Sequence, residues 1–191
     1  MGSVIECFMI ERLQEAEASF RRFTYGDKAK CPCTDRWGHN AIVILGNVSY
    51  DDEPYEGRST LAKDKKDDPR WPKTCEKCGY VFQPEDEWQY NLQRLYVRPE
   101  TGEKTTTRKA PAGAMWIADG MMEFQMEKHP TPDGHFICVK TPGGEWNIDG
   151  QATGGGYWTR TGTPPKITAR PSILIGNAYH GFLTDGKLVE C

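Results

Sequence analysis

Cys31-Pro32-Cys33 and Cys75-Glu76-Lys77-Cys78 set four thiols in two close pairs, and two pairs of thiolates make up the complete tetrahedral donor set of a structural zinc ion. The second pair has the two-residue gap that aims both sulfurs at one ion, and Gly79 supplies the tight turn of a zinc knuckle. The first pair has a one-residue gap, a looser arrangement, and His39 in Trp37-Gly38-His39-Asn40 competes with Cys33 for the fourth position. The same thiols have plainer readings: a Cys75–Cys78 redox pair, structural disulfides, or buried thiols packing as small hydrophobes. Cys31, Cys33, Cys75 and Cys78, with His39 as the alternative, are the expected metal ligands, and Zn2+ the expected cofactor. A zinc ion with four protein ligands has no open position for water, so such a site stabilises and does not catalyse.

Other chemistry is weaker. His180, in Ala178-Tyr179-His180-Gly181-Phe182, is a candidate ligand or general base with Asp149, Ser172, Asp185 and Cys138 as companions, but no local spacing ties them together. A histidine hydrogen-bonded between strands is the simpler reading. Nowhere do two histidines sit four apart around a glutamate as on a metalloprotease helix. Gly143-Gly144 and Gly154-Gly155-Gly156 lack the Lys-Ser/Thr of a phosphate loop. Trp146, Tyr157 and Trp158 would stack on bases or sugars only beside a basic groove; otherwise they pack a core.

Those residues need elements to hold them. Leu13, Ala16, Phe20 and Phe23 recur at helical spacing, which predicts an amphipathic helix over Glu11–Phe23. Ala41 to Leu45 is an apolar run closed by Gly46-Asn47 and predicts a buried strand. From about 51–69 the chain is charged and poor in large apolar residues, an exposed insertion between the two metal half-sites. A crosslinking metal would tie the feet of that insertion together. Pro84-Glu85-Asp86-Glu87 resembles an acidic first turn, so the aromatic segment from Trp88 to Val97 is expected to be helical. Thr101 to Pro111 is expected as a loop or hairpin.

After Met115-Trp116-Ile117 the composition shifts to Gly, Pro, Thr and aromatics, the pattern of a small β domain. Strands are expected at Phe136–Lys140, Trp146–Ile148, Lys166–Ala169, Ser172–Ile175 and Tyr179–Leu183. Asp185-Gly186 predicts a tight hairpin turn between Phe182-Leu183 and Leu188-Val189. Pro164-Pro165 and Pro171 suggest an edge or an irregular sheet. The expected fold class is α+β: residues 1–115 as a helix plus a zinc-ribbon or knuckle-like module, and 116–191 as a β-rich domain.

Composition narrows the function classes. The 191 residues carry 24 basic and 27 acidic side chains for a net charge of -3, no footprint for sequence-independent nucleic-acid binding. No apolar run is long enough to span a bilayer, and Met1 to Cys7 lacks the regions of a secretion signal, which predicts a soluble protein made in a cytoplasm. Seven cysteines cannot all pair within one chain, which favours metal binding over a disulfide framework.

The ordered strings Cys75-Glu76-Lys77-Cys78-Gly79-Tyr80-Val81-Phe82, Asp86-Glu87-Trp88-Gln89-Tyr90, Pro111-Ala112-Gly113-Ala114-Met115-Trp116, Thr141 to Asp149, Trp158 to Pro165, Pro171-Ser172-Ile173 and Tyr179-His180-Gly181-Phe182-Leu183 resemble a family of uncharacterised proteins encoded by tailed bacteriophages. The similarity runs from about Cys31 to the C-terminus. It implies a phage origin and no defined activity. It also implies a first metal half made of a cysteine followed by a cysteine-histidine element, matching Cys31 and His39 and leaving Cys33 as a departure. More compact relatives of the C-terminal part, from bacterial ubiquitin-like conjugation clusters, carry a cysteine and histidine near Tyr179-His180 and imply a metal peptidase, but Ala178 and Tyr179 supply no such cysteine here.

The leading expectation is a non-enzymatic accessory or structural protein of the phage head, neck or tail. It would bind other virion proteins or further copies of itself, in the virion or in the host cytoplasm during infection, with no membrane partner. The alternatives are a zinc-dependent hydrolase or peptidase using His180, and a nucleic-acid-binding zinc module using Arg94, Arg98, Lys104, Arg108 and Lys109.

Overall fold

The computed structural model describes residues 2–24, 31, 38–49, 69–118, 131–151 and 156–191. Every regular element among them is a β-strand: β1 Val4–Glu6, β2 Phe8–Met9, β3 Glu11–Phe23, β4 Asn40–Ser49, β5 Glu87–Val97, β6 Lys104–Thr106, β7 Ala114–Ile117, β8 Ile137–Thr141, β9 Gly144–Asn147, β10 Thr159–Thr163, β11 Lys166–Ile175, β12 Tyr179–Thr184 and β13 Lys187–Glu190. No helix long and apolar enough to cross a membrane occurs among the described residues.

The α+β expectation is therefore overturned: the protein is all-β in its described part. Glu11–Phe23, expected as a helix, is strand β3. Ala16, Ala18 and Phe20 are fully buried at a spacing of two, the period of a strand, whereas the helical spacing of Leu13, Ala16, Phe20 and Phe23 is incidental. Alanine, glutamate and arginine favour helices weakly, by a few tenths of a kcal/mol each. Lying between β4 and β5 in the sheet, β3 gains hydrogen-bonded ladders on both sides, and burial of Phe20 contributes ~2–3 kcal/mol more. The Trp88–Val97 helix is likewise replaced by β5, with Tyr90 and Leu92 buried two apart.

The chain divides into two compact units, Gln14–Leu95 and Met1–Leu13 with Tyr96–Cys191. In the first, β3 pairs antiparallel with β4 from Glu15↔Ser49 to Phe23↔Asn40, with a bulge between Ala18 and Ser19. The Phe20 ring packs tilted against Trp71, with centroids 4.0 Å apart, and lies 5.4 Å from Tyr90, in a core shared with Ala16, Ala18 and Leu92. Cys31, Ala41, Cys75 and Phe82 form a separate buried cluster flanked by Cys78 and Tyr80. The expected insertion at 51–69 falls, but for Pro69, outside the described residues.

The second unit holds a five-stranded sheet ordered β1-β13-β12-β11-β10 and a four-stranded sheet ordered β2-β7-β8-β9, in which β2 and β7 are parallel. Their inner faces share one core: Met115, Ile137, Val139 and Trp146 from the second sheet meet Ile167, Ala169, Ile173, Leu183 and Leu188 from the first. The two strands expected around Pro171 are one strand, β11, whose register slips between Ala169 and Ile173. The proline lacks an N–H for the ladder, and a bulge absorbs that loss. Asp185-Gly186 makes the expected hairpin turn, with Asp185 at φ 46° and its N–H donating to Thr168 Oγ1 at 2.9 Å.

Beneath that core, Arg160 on β10 is buried in a fan of acceptors. Its Nε donates to Asp149 at 2.6 Å, its Nη1 to Asp133 at 3.1 Å and its Nη2 to the His135 carbonyl at 2.9 Å. Asp149 in turn accepts the Ile137 N–H at 2.8 Å. Each buried charge has a partner, the condition for tolerating it inside an apolar core.

Candidate metal centre

The connection from β3 to β4 carries Cys31 and His39. The ladder of those strands runs one step past their ends, where the Thr24 N–H donates to the His39 carbonyl at 3.0 Å and the His39 N–H to Thr24 Oγ1 at 2.9 Å. A Cβ at position 38 would collide with the Thr24 carbonyl and hydroxyl oxygens, so only glycine lets the chain pass there and deliver His39.

The other half is the turn before β5. Thr74 bridges to Val81, the Cys75 N–H donates to the Tyr80 carbonyl at 2.8 Å, and the Gly79 N–H donates to the Cys75 carbonyl at 2.9 Å. Gly79 closes this knuckle at φ 74°, a conformation that costs any residue with a Cβ. The turn directs the backbone N–H groups of Lys77 and Cys78 at the Cys75 sulfur and that of Tyr80 at the Cys78 sulfur, and the Asn40 N–H, at the start of β4, also bonds the Cys75 sulfur.

These two halves bring Cys31, His39, Cys75 and Cys78 together, with one donor atom from each lying within 4.8 Å of all the others. Zn–S bonds of about 2.3 Å at tetrahedral angles put ligand atoms just under about 4 Å apart, so the cluster is near the size of a metal shell. Cys31, His39 and Cys75 are buried, and Cys78 is half-exposed. Among the described residues this is the one group of three or more such donors placed to hold a metal ion. His39 Nδ1 lies 2.9 Å from Cys78 Sγ, and its ring stacks face to face on Tyr80 at 4.0 Å.

The electrostatics suit a cation. Burial pushes the Cys75 thiol up, but the N–H groups of Lys77, Cys78 and Asn40, with the His39 side chain, outweigh it and hold the group at about 6. Cys75 is therefore the more acidic of the two knuckle thiols. Cys78 moves the other way: the Tyr80 N–H lowers it, but burial and the neighbouring sulfurs of Cys31 and Cys75 raise it further. Crowded sulfurs that repel as anions are the condition a divalent ion relieves. Three sulfurs and an imidazole can hold a metal ion such as zinc.

Of the residues singled out in the sequence, Cys33 lies outside the described residues, and the fourth donor of the observed cluster is His39. His180 is exposed on β12, opposite Leu174. Of its suggested companions, Asp149 is bound to Arg160 and Ile137, Asp185 forms the hairpin turn, Cys138 is pushed up to about 12 by burial, and Ser172 lies on β11. Trp146 and Trp158 meet edge to face at 5.3 Å against the core of the second unit. Gly143 lies in the β8–β9 turn and Gly144 opens β9, paired with Thr141. Among the candidate cations, Arg98 lies over the Phe8 ring at 3.9 Å and pairs with Glu100, and Arg94 donates to Gln14.

Sequence reasoning missed three contributors: Tyr80 against the His39 ring, the Asn40 N–H on the Cys75 sulfur, and Glu76, whose carboxylate accepts the Ile42 N–H at 3.0 Å. Only Tyr80 had a local signal, an aromatic directly after the knuckle glycine. Comparison with protein-family models, with curated proteins and with solved structures finds no match.

Proposed function

We propose that this protein is a non-catalytic, zinc-stabilised β scaffold, an accessory component of a tailed-phage particle that presents its surface to other particle proteins. The observation carrying the non-catalytic part is the donor count: Cys31, His39, Cys75 and Cys78 supply four ligands, which fill a tetrahedral shell and leave no position for substrate. Three soft sulfur donors favour zinc over calcium or magnesium, which take oxygen ligands. The phage assignment rests on the ordered sequence strings alone.

Metal analysis of the purified protein is expected to give one zinc per chain. The cobalt-substituted form should show a tetrahedral, sulfur-ligated spectrum with no exchangeable water. An exchangeable water would move the reading to a zinc hydrolase. Mass spectrometry of purified particles should find the chain at a fixed copy number, and its absence from them would remove the virion assignment.

A further inference from the structure

Strand β4 is the edge of its sheet among the described residues, and its free edge is met by the metal knuckle. Alternate N–H groups of an edge strand point away from the sheet, unpaired. In β4 the first two of these are Asn40 and Ile42. The Asn40 N–H is held by the Cys75 sulfur, and the Ile42 N–H by the Glu76 carboxylate. Both acceptors belong to the Cys-x-x-Cys turn, so the knuckle stands where a neighbouring strand would lie.

The protected segment is hazardous when bare. Asn40–Ser49 contains no charged residue or proline, the gatekeepers that usually blunt an edge. Ile42 and Ile44 are 43% and 52% exposed on one face of β4. Ala41-Ile42-Val43-Ile44-Leu45 is an uncharged, β-branched run of the kind that pairs with a copy of itself.

We propose that the metal-bound knuckle caps the β4 edge, and that metal loss frees this strand to pair with β4 of a second copy of the chain. The inference rests on the metal reading of the four-donor cluster. The ion locks the turn, the turn positions Glu76 and Cys75, and these occupy the edge hydrogen bonds. Glu76 is an exposed side chain and not a ligand, which makes it the handle for a test.

The experiment compares wild type, Glu76→Ala, Glu76→Gln and Ile44→Lys, each loaded with Zn2+ and each after chelation, by amide hydrogen exchange and sedimentation velocity. In the zinc-loaded state Glu76→Ala should keep its zinc while exchange at the Ile42 amide rises about 5-fold, as the loss of one net hydrogen bond implies. Glu76→Gln, which keeps an acceptor oxygen, should stay near wild type. Chelated wild type should sediment as a larger species, and chelated Ile44→Lys should not. Unchanged Ile42 exchange in a zinc-loaded Glu76→Ala protein would overturn the cap while leaving the metal site standing. Self-association of chelated Ile44→Lys equal to wild type would overturn the role of β4. Failure of the wild type to bind zinc would overturn the metal reading and this inference together.

Discussion

His39 supplies the fourth donor of the cluster, the place for which the sequence also offered Cys33, and the two residues carry opposite predictions. His39→Ala should lower zinc affinity by more than the ~10–100-fold that loss of an outer-shell partner costs. Cys33→Ser should leave tight, one-to-one binding intact, since four donors are already assembled without it. Competitive titration against a chromophoric chelator measures both. Tyr80→Leu removes the ring stacked on His39, with its edge contact to Phe82 and its hydrogen bond to Asp86, but keeps all four donors, and is expected to fall within that outer-shell range. The two knuckle thiols also set the pH response. Cys75 is shifted downward and Cys78 upward, so Cys78 is the knuckle thiol that must lose a proton to bind a metal at pH 7. Zinc binding at pH 7 is therefore expected to release protons, and affinity to rise steadily from pH 6 to pH 8. Calorimetry in buffers of different ionisation enthalpy reads the proton count; binding with no proton release at pH 7 would contradict the assignment.

Two glycines govern the turns that aim these ligands, and they fail differently. Gly79 at φ 74° has open space around its Cα, so Gly79→Ala carries only the left-handed backbone cost, ~1–2 kcal/mol. Gly38 is packed against the Thr24 backbone, so Gly38→Ala must displace the strand ends themselves. The expected result is lost zinc affinity at position 38 and lost stability with near-normal affinity at position 79, separable by titration and denaturant unfolding. The strands that frame the site show why local reading succeeded in one half and not in the other. β8, β9, β12 and β13 are short and bounded by turn signals, so they were readable without any partner, whereas β4 was readable only as Ala41–Leu45: it runs through the expected stop at Gly46-Asn47 to Ser49, because its ladder with β3 continues there. β3 and β5 are long, polar and rich in helix formers. Their state is decided by ladders with strands far away in the chain, which no window of local sequence contains.

Each compact unit has its own organising device, and the two respond to different perturbations. In Met1–Leu13 with Tyr96–Cys191 it is the Arg160 fan. Arg160→Ala leaves Asp149 as a buried, unpaired charge and is expected to cost ~3–5 kcal/mol by denaturant unfolding, whereas Asp133→Asn, at the solvent-exposed end, should cost much less. The hydrogen bond from Arg160 holds the Asp133 carboxyl below the usual carboxylate range. Its contribution to stability is present above the unfolded value of about 3.9 and is lost as pH falls through the lower, folded value. An unfolding series from pH 6 to pH 2 should show that loss and should show less of it in Asp133→Asn. In Gln14–Leu95 the device is the four-donor cluster of Cys31, His39, Cys75 and Cys78. Chelation should deprotect amides at Thr24, His39 and Cys75 to Phe82 while those of β11 to β13 keep their protection.

The closeness of Cys75 and Cys78, the knuckle turn, the Asp185-Gly186 hairpin and the β character beyond Trp116 were all written in neighbouring residues, because each depends on spacing or on φ preferences within a few positions. The identity of the fourth donor, the strand state of Glu11–Phe23 and the seat of Glu76 on the β4 edge were not. Each depends on which distant segment lies across a ladder, and the free energy of that pairing exceeds the weak local preferences that argued otherwise.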